Sequence, residues 1–174
     1  NLFYIYNGLI PKRLENINYK NILAGNNSKL IWNEYYSYDE LPQTKNPKSG
    51  YLQNCNSTPY LATVGQGNPS KTLPNNTGIE LYQTNRAFRA NELYGNEQLI
   101  SKDEFYNYKY DTYYSKESVM SYARDRFLSE FKTDEPKLIN ALNILKNWDL
   151  GNQKENTGAA IANLTFKITY ERDD

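Results

Sequence analysis

Six of the seven prolines in this 174-residue chain fall before residue 75, and the seventh, Pro136, stands where a helix would begin. Proline fixes φ and removes a backbone donor, so it interrupts regular structure in the first part and leaves the second open to helices. Gly65, Gly67 and Gly78 add to the punctuation before residue 80. The chain therefore reads as a strand-and-turn region over residues 1–60, an irregular connection over 61–79 and a mainly helical region over 80–174. Strands first and helices after make the fold class α+β.

Within the first region, Leu2-Phe3-Tyr4-Ile5-Tyr6 is an aromatic and β-branched run closed by Asn7-Gly8 and Pro11, which predicts a strand followed by a turn. Both faces of that strand are apolar, so exposed apolar surface is expected there unless covering layers flank it. Residues 12–29 are rich in Asn without a sustained period and read as loop. Leu30-Ile31-Trp32 predicts a short strand, and a further strand is expected over residues 51–55 after Pro42, Asn46-Pro47 and Ser49-Gly50. Beyond Glu80 the signals are helical. Thr84 or Asn85 can cap a helix over 84–94 that stops at Gly95, and Ser101 with Glu104 has capping-box form. Ser115 is the expected cap of a helix over 116–131. Asp134-Glu-Pro136 opens another over 136–147, with Leu138, Ile139, Leu142 and Leu145 on its apolar face. A last helix should start at Asn156 or Thr157.

Mean hydropathy is low, at −0.85. Yet seventeen Tyr, six Phe and two Trp supply large apolar surfaces that a disordered chain lacks. Asn makes up about one residue in seven, which favours turns and caps. Twenty basic residues balance twenty acidic ones, so no basic excess exists to attract nucleic acid or an anionic membrane. The absence of His removes Ser-His and Cys-His catalytic pairs and the commonest transition-metal ligand. One Cys excludes an internal disulfide and a zinc-thiolate cluster. No apolar run reaches the roughly 18 residues of a membrane span, and Gly65-Gln-Gly67 lacks the strand-to-helix setting of a phosphate loop.

Several blocks carry a resemblance. Tyr38-Asp-Glu-Leu-Pro42 leads to Asn46-Pro-Lys-Ser-Gly50 and then Tyr51-Leu-Gln-Asn-Cys-Asn-Ser-Thr-Pro59. Upstream stands Asn1-Leu-Phe-Tyr-Ile-Tyr-Asn-Gly8. Downstream follow Thr84-Asn-Arg-Ala-Phe-Arg-Ala-Asn-Glu-Leu93, Lys109-Tyr-Asp-Thr-Tyr-Tyr-Ser115, Trp148-Asp149 and Thr157-Gly-Ala-Ala160. In this order they resemble the penicillin-amidase family of N-terminal-nucleophile hydrolases, nearest its acyl-homoserine-lactone and aculeacin acylase-like branch.

That resemblance implies a part of an αββα sandwich and an amidohydrolase acting on linear amides. Autoproteolytic processing of a precursor would leave a Ser at the start of the β chain. Its hydroxyl attacks the amide, and its own α-amine serves as base. The segment matched here lies after that serine in the family order, so an internal β-chain fragment, inactive by itself, is expected. Its partners would be the α chain, the remainder of the β chain and an N-acyl amide substrate of acyl-homoserine-lactone, lipopeptide or β-lactam type. No cofactor is implied. A structural calcium ligand is not expected in the loop after Pro59, which carries no Asp or Glu until Glu80. The family points to a periplasmic or secreted enzyme, with roles in quorum quenching or antibiotic metabolism.

The resemblance places Asn56 on the asparagine whose side-chain amide helps form the oxyanion hole. A fixed neutral donor stabilises the developing negative oxygen without changing protonation state. Read from its neighbours alone, Asn56 is an Asx-turn residue before Pro59. Arg89, or Arg86 in an alternative register, matches a family arginine near the active-site hydrogen bonds; a solvated Arg-Glu ladder with Glu92 is the plainer reading. Strand alternation would put Asn54 on the face of Asn56, where it could orient it. Cys55 reads as a small core residue, Asp111 with Ser115 as loop-to-helix capping, and Trp148-Asp149 as a helix end. A different class of function, a secreted aromatic-rich carbohydrate-binding or interaction module, is suggested by Tyr35, Tyr36 and Tyr38 and by Tyr106, Tyr108 and Tyr110.

Overall fold

The computed structural model describes residues 1–70, 72–95 and 99–170, with residues 167–170 described by their backbone alone. The chain is α+β and forms two compact units, Asn1–Gln83 and Thr84–Asp174.

In the first unit, strands β1 (Phe3–Ile5) and β2 (Gln43–Lys45) pair antiparallel, with Phe3 opposite Lys45, Tyr4 opposite Thr44 and Ile5 opposite Gln43. The ladder is closed at both ends. Tyr6 N–H donates to the Pro42 carbonyl at 2.9 Å, and Leu2 N–H donates to Asn46 Oδ1 at 2.8 Å. Asn46 adopts φ 46°, a left-handed conformation that Asn tolerates better than most residues. Pro42 and Asn46-Pro47 therefore bracket a strand rather than merely punctuate a loop. Gln-Thr-Lys carries no apolar alternation, so its partner β1 supplies what local sequence does not.

Two expected strands are corrected. Residues 51–55 form no ladder among the described residues. The segment is held instead by Gln53, whose N–H donates to the Ala62 carbonyl and whose Nε2 donates to the Leu61 carbonyl, both at 2.8 Å. Leu30-Ile31-Trp32 is no strand either, because a 3₁₀ turn over Ser28–Leu30 precedes it. Asn27 Oδ1 accepts from Lys29 N–H at 3.1 Å, a local bond that competes with extension.

The core of this unit gathers Ile10, Leu41, Leu73 and Ile79, with Ile5, Tyr36 and Tyr60 packed against them. Ile5 thus ties β1 to the core, while Leu2, Phe3 and Tyr6 stay exposed, as a strand apolar on both sides predicts. A single bridge pairs Pro11 with Tyr35. Arg13 closes a longer loop. Its Nη1 donates to the Asn76 carbonyl at 3.0 Å, Asn76 Nδ2 returns a bond to the Arg13 carbonyl at 3.0 Å, and the guanidinium lies over the rings of Tyr19 and Trp32.

The second unit holds the helices. Thr84 caps α1 (Asn85–Tyr94), its Oγ1 accepting from Ala87 N–H at 3.2 Å. The predicted Ser101–Glu104 capping box opens α2 (Lys102–Lys109). Helix α3 (Val119–Glu130) is capped by Ser118, not by Ser115. Ser115 is fully buried, and its Oγ donates to Glu92 and accepts from Glu117 N–H at 3.0 Å, closing a separate turn ahead of the helix, which starts three residues on. Pro136 begins α4 (Pro136–Lys146), and Asn156 Oδ1 accepts from Ala159 N–H at the start of α5 (Thr157–Tyr170).

Helices α3, α4 and α5 enclose Leu145, Trp148, Leu150, Ala159, Ala162 and Phe166. Trp148 is anchored by its indole N–H, which donates to the Gly151 carbonyl at 2.7 Å. Gly158 sits so close to it that a Cβ there would lie 2.7 Å from Trp148 side-chain atoms. The chain after Trp148 turns through Leu150 at φ 67° and pairs Gly151 with Tyr113.

Candidate functional site

The segment 53–59 folds as a tight loop because its own side chains satisfy its backbone. Gln53 Oε1 accepts from Cys55 N–H at 3.1 Å, and Asn54 Oδ1 accepts from Asn56 N–H at 3.1 Å. These are successive Asx-type turns, with Gln in the first and Asn in the second. Asn56 takes a left-handed conformation, φ 56°, which reverses the chain and leaves both Asn54 and Asn56 exposed. The Asx-turn therefore belongs to Asn54. Its side chain fixes the backbone of Asn56, and this uses none of the Asn56 side-chain amide. Asn54 contacts Asn56 through this turn and not through strand alternation. Cys55 forms no disulfide and is of intermediate burial, less enclosed than the core position expected of it.

Beyond the turn the chain is anchored firmly. Thr58 and Pro59 are buried, Thr58 caps a 3₁₀ turn over Pro59–Leu61, and Thr58 N–H donates to the Tyr82 carbonyl at 3.1 Å. The loop thus lies between β1 and the returning segment 78–82. Together they line an open cleft of about 380 Å³, in which Asn54, Asn56 and Ser57 meet Tyr4, Tyr6, Glu80 and Tyr82. The Glu80 carboxylate accepts a hydrogen bond from the Tyr82 phenol, and that bond together with the negative charge pushes the phenol's pKa up. Chemically the cleft offers neutral amide donors at its loop wall and a carboxylate opposite a set of phenols.

Arg86 and Arg89 belong to the second unit. Arg86 is exposed, whereas Arg89 is the hub of a polar network. Its Nε donates to Asp111 Oδ1 at 2.7 Å and its Nη2 to Asp111 Oδ2 at 3.0 Å, a forked pair that only a guanidinium can make. Its Nη1 donates to Glu92 Oε2 at 2.9 Å, and the guanidinium lies over the Tyr113 ring. Hydrogen bonding to Asp111 raises the arginine pKa further above its ordinary value, against the opposing cost of burial. The other oxygen of Glu92 accepts from the Ser115 hydroxyl at 2.6 Å and from Lys116 N–H at 2.9 Å. Burial works to raise the Glu92 pKa, but these donors and Arg89 outweigh it and hold the carboxyl below its ordinary value.

Of the two arginines, Arg89 is the one that holds this network, and Arg86 is exposed on α1. Asp111 and Ser115 are joined through Arg89 and Glu92, so the capping role expected of them is incomplete. Glu92 was legible as the i+3 neighbour of Arg89, but Asp111, distant along the chain, carried no such signal. Tyr4, Tyr6, Glu80 and Tyr82 were not singled out as site residues. Only the fold shows that segments 4–6 and 78–82 flank the Asn56 loop. Among the described residues no group of three or more Asp, Glu, Cys or His is placed to hold a metal ion, and no helix is long and apolar enough to cross a membrane.

The penicillin amidase profile matches residues 1–172, almost the whole chain, and the chain belongs to the penicillin amidase family.

Proposed function

We propose that this chain contributes the oxyanion-hole asparagine, Asn56, to an acylase that hydrolyses the amide bond of N-acyl substrates. Family membership supports amidohydrolase chemistry. The observation that carries the residue assignment is the geometry of the loop. Asn56 sits at a left-handed reversal held by Asn54, with its amide on the wall of a polar cleft.

In the proposed reaction a serine at the N-terminus of a processed chain, outside these 174 residues, attacks the carbonyl carbon. Its hydroxyl proton passes to its own α-amine, and the carbonyl electron pair becomes an oxyanion. The Asn56 amide N–H and a backbone N–H then hold that oxygen, a contribution typically worth about 3 to 4 kcal/mol for one donor. Collapse breaks the C–N bond, the leaving amine takes the proton, and water later releases the acid from the acyl-serine. Such a route draws no His from this chain, which has none.

Arg89, or Arg86 in the alternative register, is proposed as active-site support, and the network of Arg89 with Asp111 and Glu92 supports the first. The substrate is proposed to be an acyl-homoserine lactone, a lipopeptide amide or a β-lactam amide, and the Gln53-Asn-Cys-Asn-Ser-Thr-Pro59 block supports the acyl-homoserine-lactone and aculeacin acylase-like branch. Autoproteolytic processing, a periplasmic or secreted location and an α-chain partner belong to the same proposal.

The test uses the mature enzyme with its serine. Incubation with N-acyl amides should release free acid and free amine, and rapid quenching should trap an acyl ester whose mass matches the N-terminal serine of the processed chain. Hydrolysis without any acyl-enzyme, or no hydrolysis of any linear amide, would overturn it.

A further inference from the structure

We infer that the cleft beside Asn56 is a subsite for an ammonium group carried on the amine side of the substrate, with Glu80 as its counter-charge. This rests on the reading of Asn56 as the oxyanion donor and adds to it a rule about which leaving groups the enzyme accepts.

The lining residues state the chemistry. Among the described residues that line the cleft, Glu80 is the one carboxylate, Tyr4, Tyr6 and Tyr82 share the wall with it, and there is no Lys or Arg. Carboxylate plus aromatic faces is the combination that attracts an ammonium cation, by charge and by the ring quadrupole together. A carboxylate-bearing leaving group would meet like charge there. An acyl chain would gain nothing from a wall of phenols, amides and a carboxylate, so the amine side of the substrate is the better occupant.

Two features hold this wall in place. Thr58 N–H bonds the Tyr82 carbonyl, tying the Glu80 segment to the Asn56 loop, and the reciprocal Arg13–Asn76 bonds fix the chain just before Gly78. Gly78 itself is left-handed at φ 84° with Arg13 Nη1 beside it, where a Cβ would come within 3.0 Å. The Arg13 guanidinium lies beside this segment at Gly78. It stacks on Tyr19 and Trp32 and bonds Asn76, so it serves the loop and does not line the cleft. The Tyr82 phenol takes only part of the Glu80 carboxylate, which can accept further donors from an ammonium group.

The experiment compares three decanoyl amides on the mature enzyme: those of 1,4-diaminobutane, butylamine and 4-aminobutanoate. Their leaving groups carry a positive, zero and negative charge. The expected order of kcat/KM is cationic, neutral, anionic, with about tenfold between the extremes, as one facing charge at partly screened range gives. Glu80→Gln should compress that ratio to within about twofold. Tetramethylammonium, titrated against the same protein and followed by tyrosine ring NMR signals, reads the subsite without turnover. It should bind saturably and several-fold more weakly to Glu80→Gln. Equal turnover of the three amides would overturn the ammonium subsite while leaving the acylase reading intact, and so would an unchanged order in Glu80→Gln. Saturable tetramethylammonium binding without hydrolysis of any amide would support the cation cleft and count against the acylase reading.

Discussion

Arg89 grips Asp111 through two parallel bonds, Nε to Oδ1 at 2.7 Å and Nη2 to Oδ2 at 3.0 Å, across 22 residues of chain. The aspartate is the less exposed partner, at 10% against 27% for the arginine. Lysine would keep the charge but lose the fork and the contact over Tyr113. Arg89→Lys should therefore destabilise the second unit by about 1 to 2 kcal/mol, in line with a partly screened charged hydrogen bond. Urea unfolding of Arg89→Lys, set beside Lys137→Arg on the exposed face of α4, checks this. The Lys137 change should stay within about 0.5 kcal/mol, the usual range for a surface position.

Asn56→Ala removes the proposed oxyanion donor and keeps the Asn54 side chain that holds the turn, although Ala tolerates φ 56° less well than Asn. In the mature enzyme kcat should fall roughly a hundredfold or more, with a smaller change in KM. Asn54→Ala should do less, because it loosens the Asn56 backbone and removes no donor. Masses of the processed chains must first show normal cleavage. Near-normal kcat in a correctly processed Asn56→Ala enzyme would remove the assignment.

Glu92 titrates below its ordinary value in the folded protein, so the unfolded chain binds its proton more readily. The stabilisation it contributes is complete above the ordinary value of 4.5 and is lost as pH falls through the lower, folded value. Melting temperatures recorded from pH 7 down to pH 3 should drop in that acid window. In Glu92→Gln the drop should be shallower, although the variant starts from a lower plateau.

Gly158 has no room for a methyl group, since its Cβ would lie 2.7 Å from Cβ, Cγ and Cδ1 of Trp148. Alanine is the better helix former, so propensity alone would make Gly158→Ala stabilising by up to about 1 kcal/mol. Overpacking acts in the opposite direction by about 1 to 3 kcal/mol, and in a close-packed core it should win. A lowered denaturation midpoint with a red-shifted Trp148 emission is the expected signature.

Local chemistry explains why the helical unit was easier to read than the first. Thr84, the Ser101–Glu104 box, Pro136 and Asn156 each act within one turn of their own helix, and all four lie where sequence places them. Ser115 misled because the N–H it accepts, from Glu117, belongs to a turn that ends at Ser118, the cap of the helix itself, while its own proton goes to the distant Glu92. In the first unit the decisive bonds are long-range or belong to glutamine and asparagine side chains. Gln53 replaced an expected ladder with two bonds to residues 61 and 62, and β2 exists only because β1 lies beside it. Asn56 is singled out by the resemblance of its block to the family, since its neighbours alone read as a turn. Its left-handed backbone and the wall formed by Glu80 and Tyr82 required the fold.

The bonds from Leu2 to Asn46 and from Arg13 to Asn76 span 44 and 63 residues. Ordering so much chain before those contacts form is entropically slow, whereas helices capped from within can form on their own timescale. The second unit is therefore expected to acquire its structure first during refolding, and the Asn56 loop, which depends on the first, to acquire it last. The chain carries its own reporters for this sequence of events. Trp32, 46% exposed, belongs to the first unit, and Trp148, 4% exposed, belongs to the second. Single Trp-to-Phe variants in stopped-flow fluorescence should yield a fast phase from Trp148 and a slower one from Trp32.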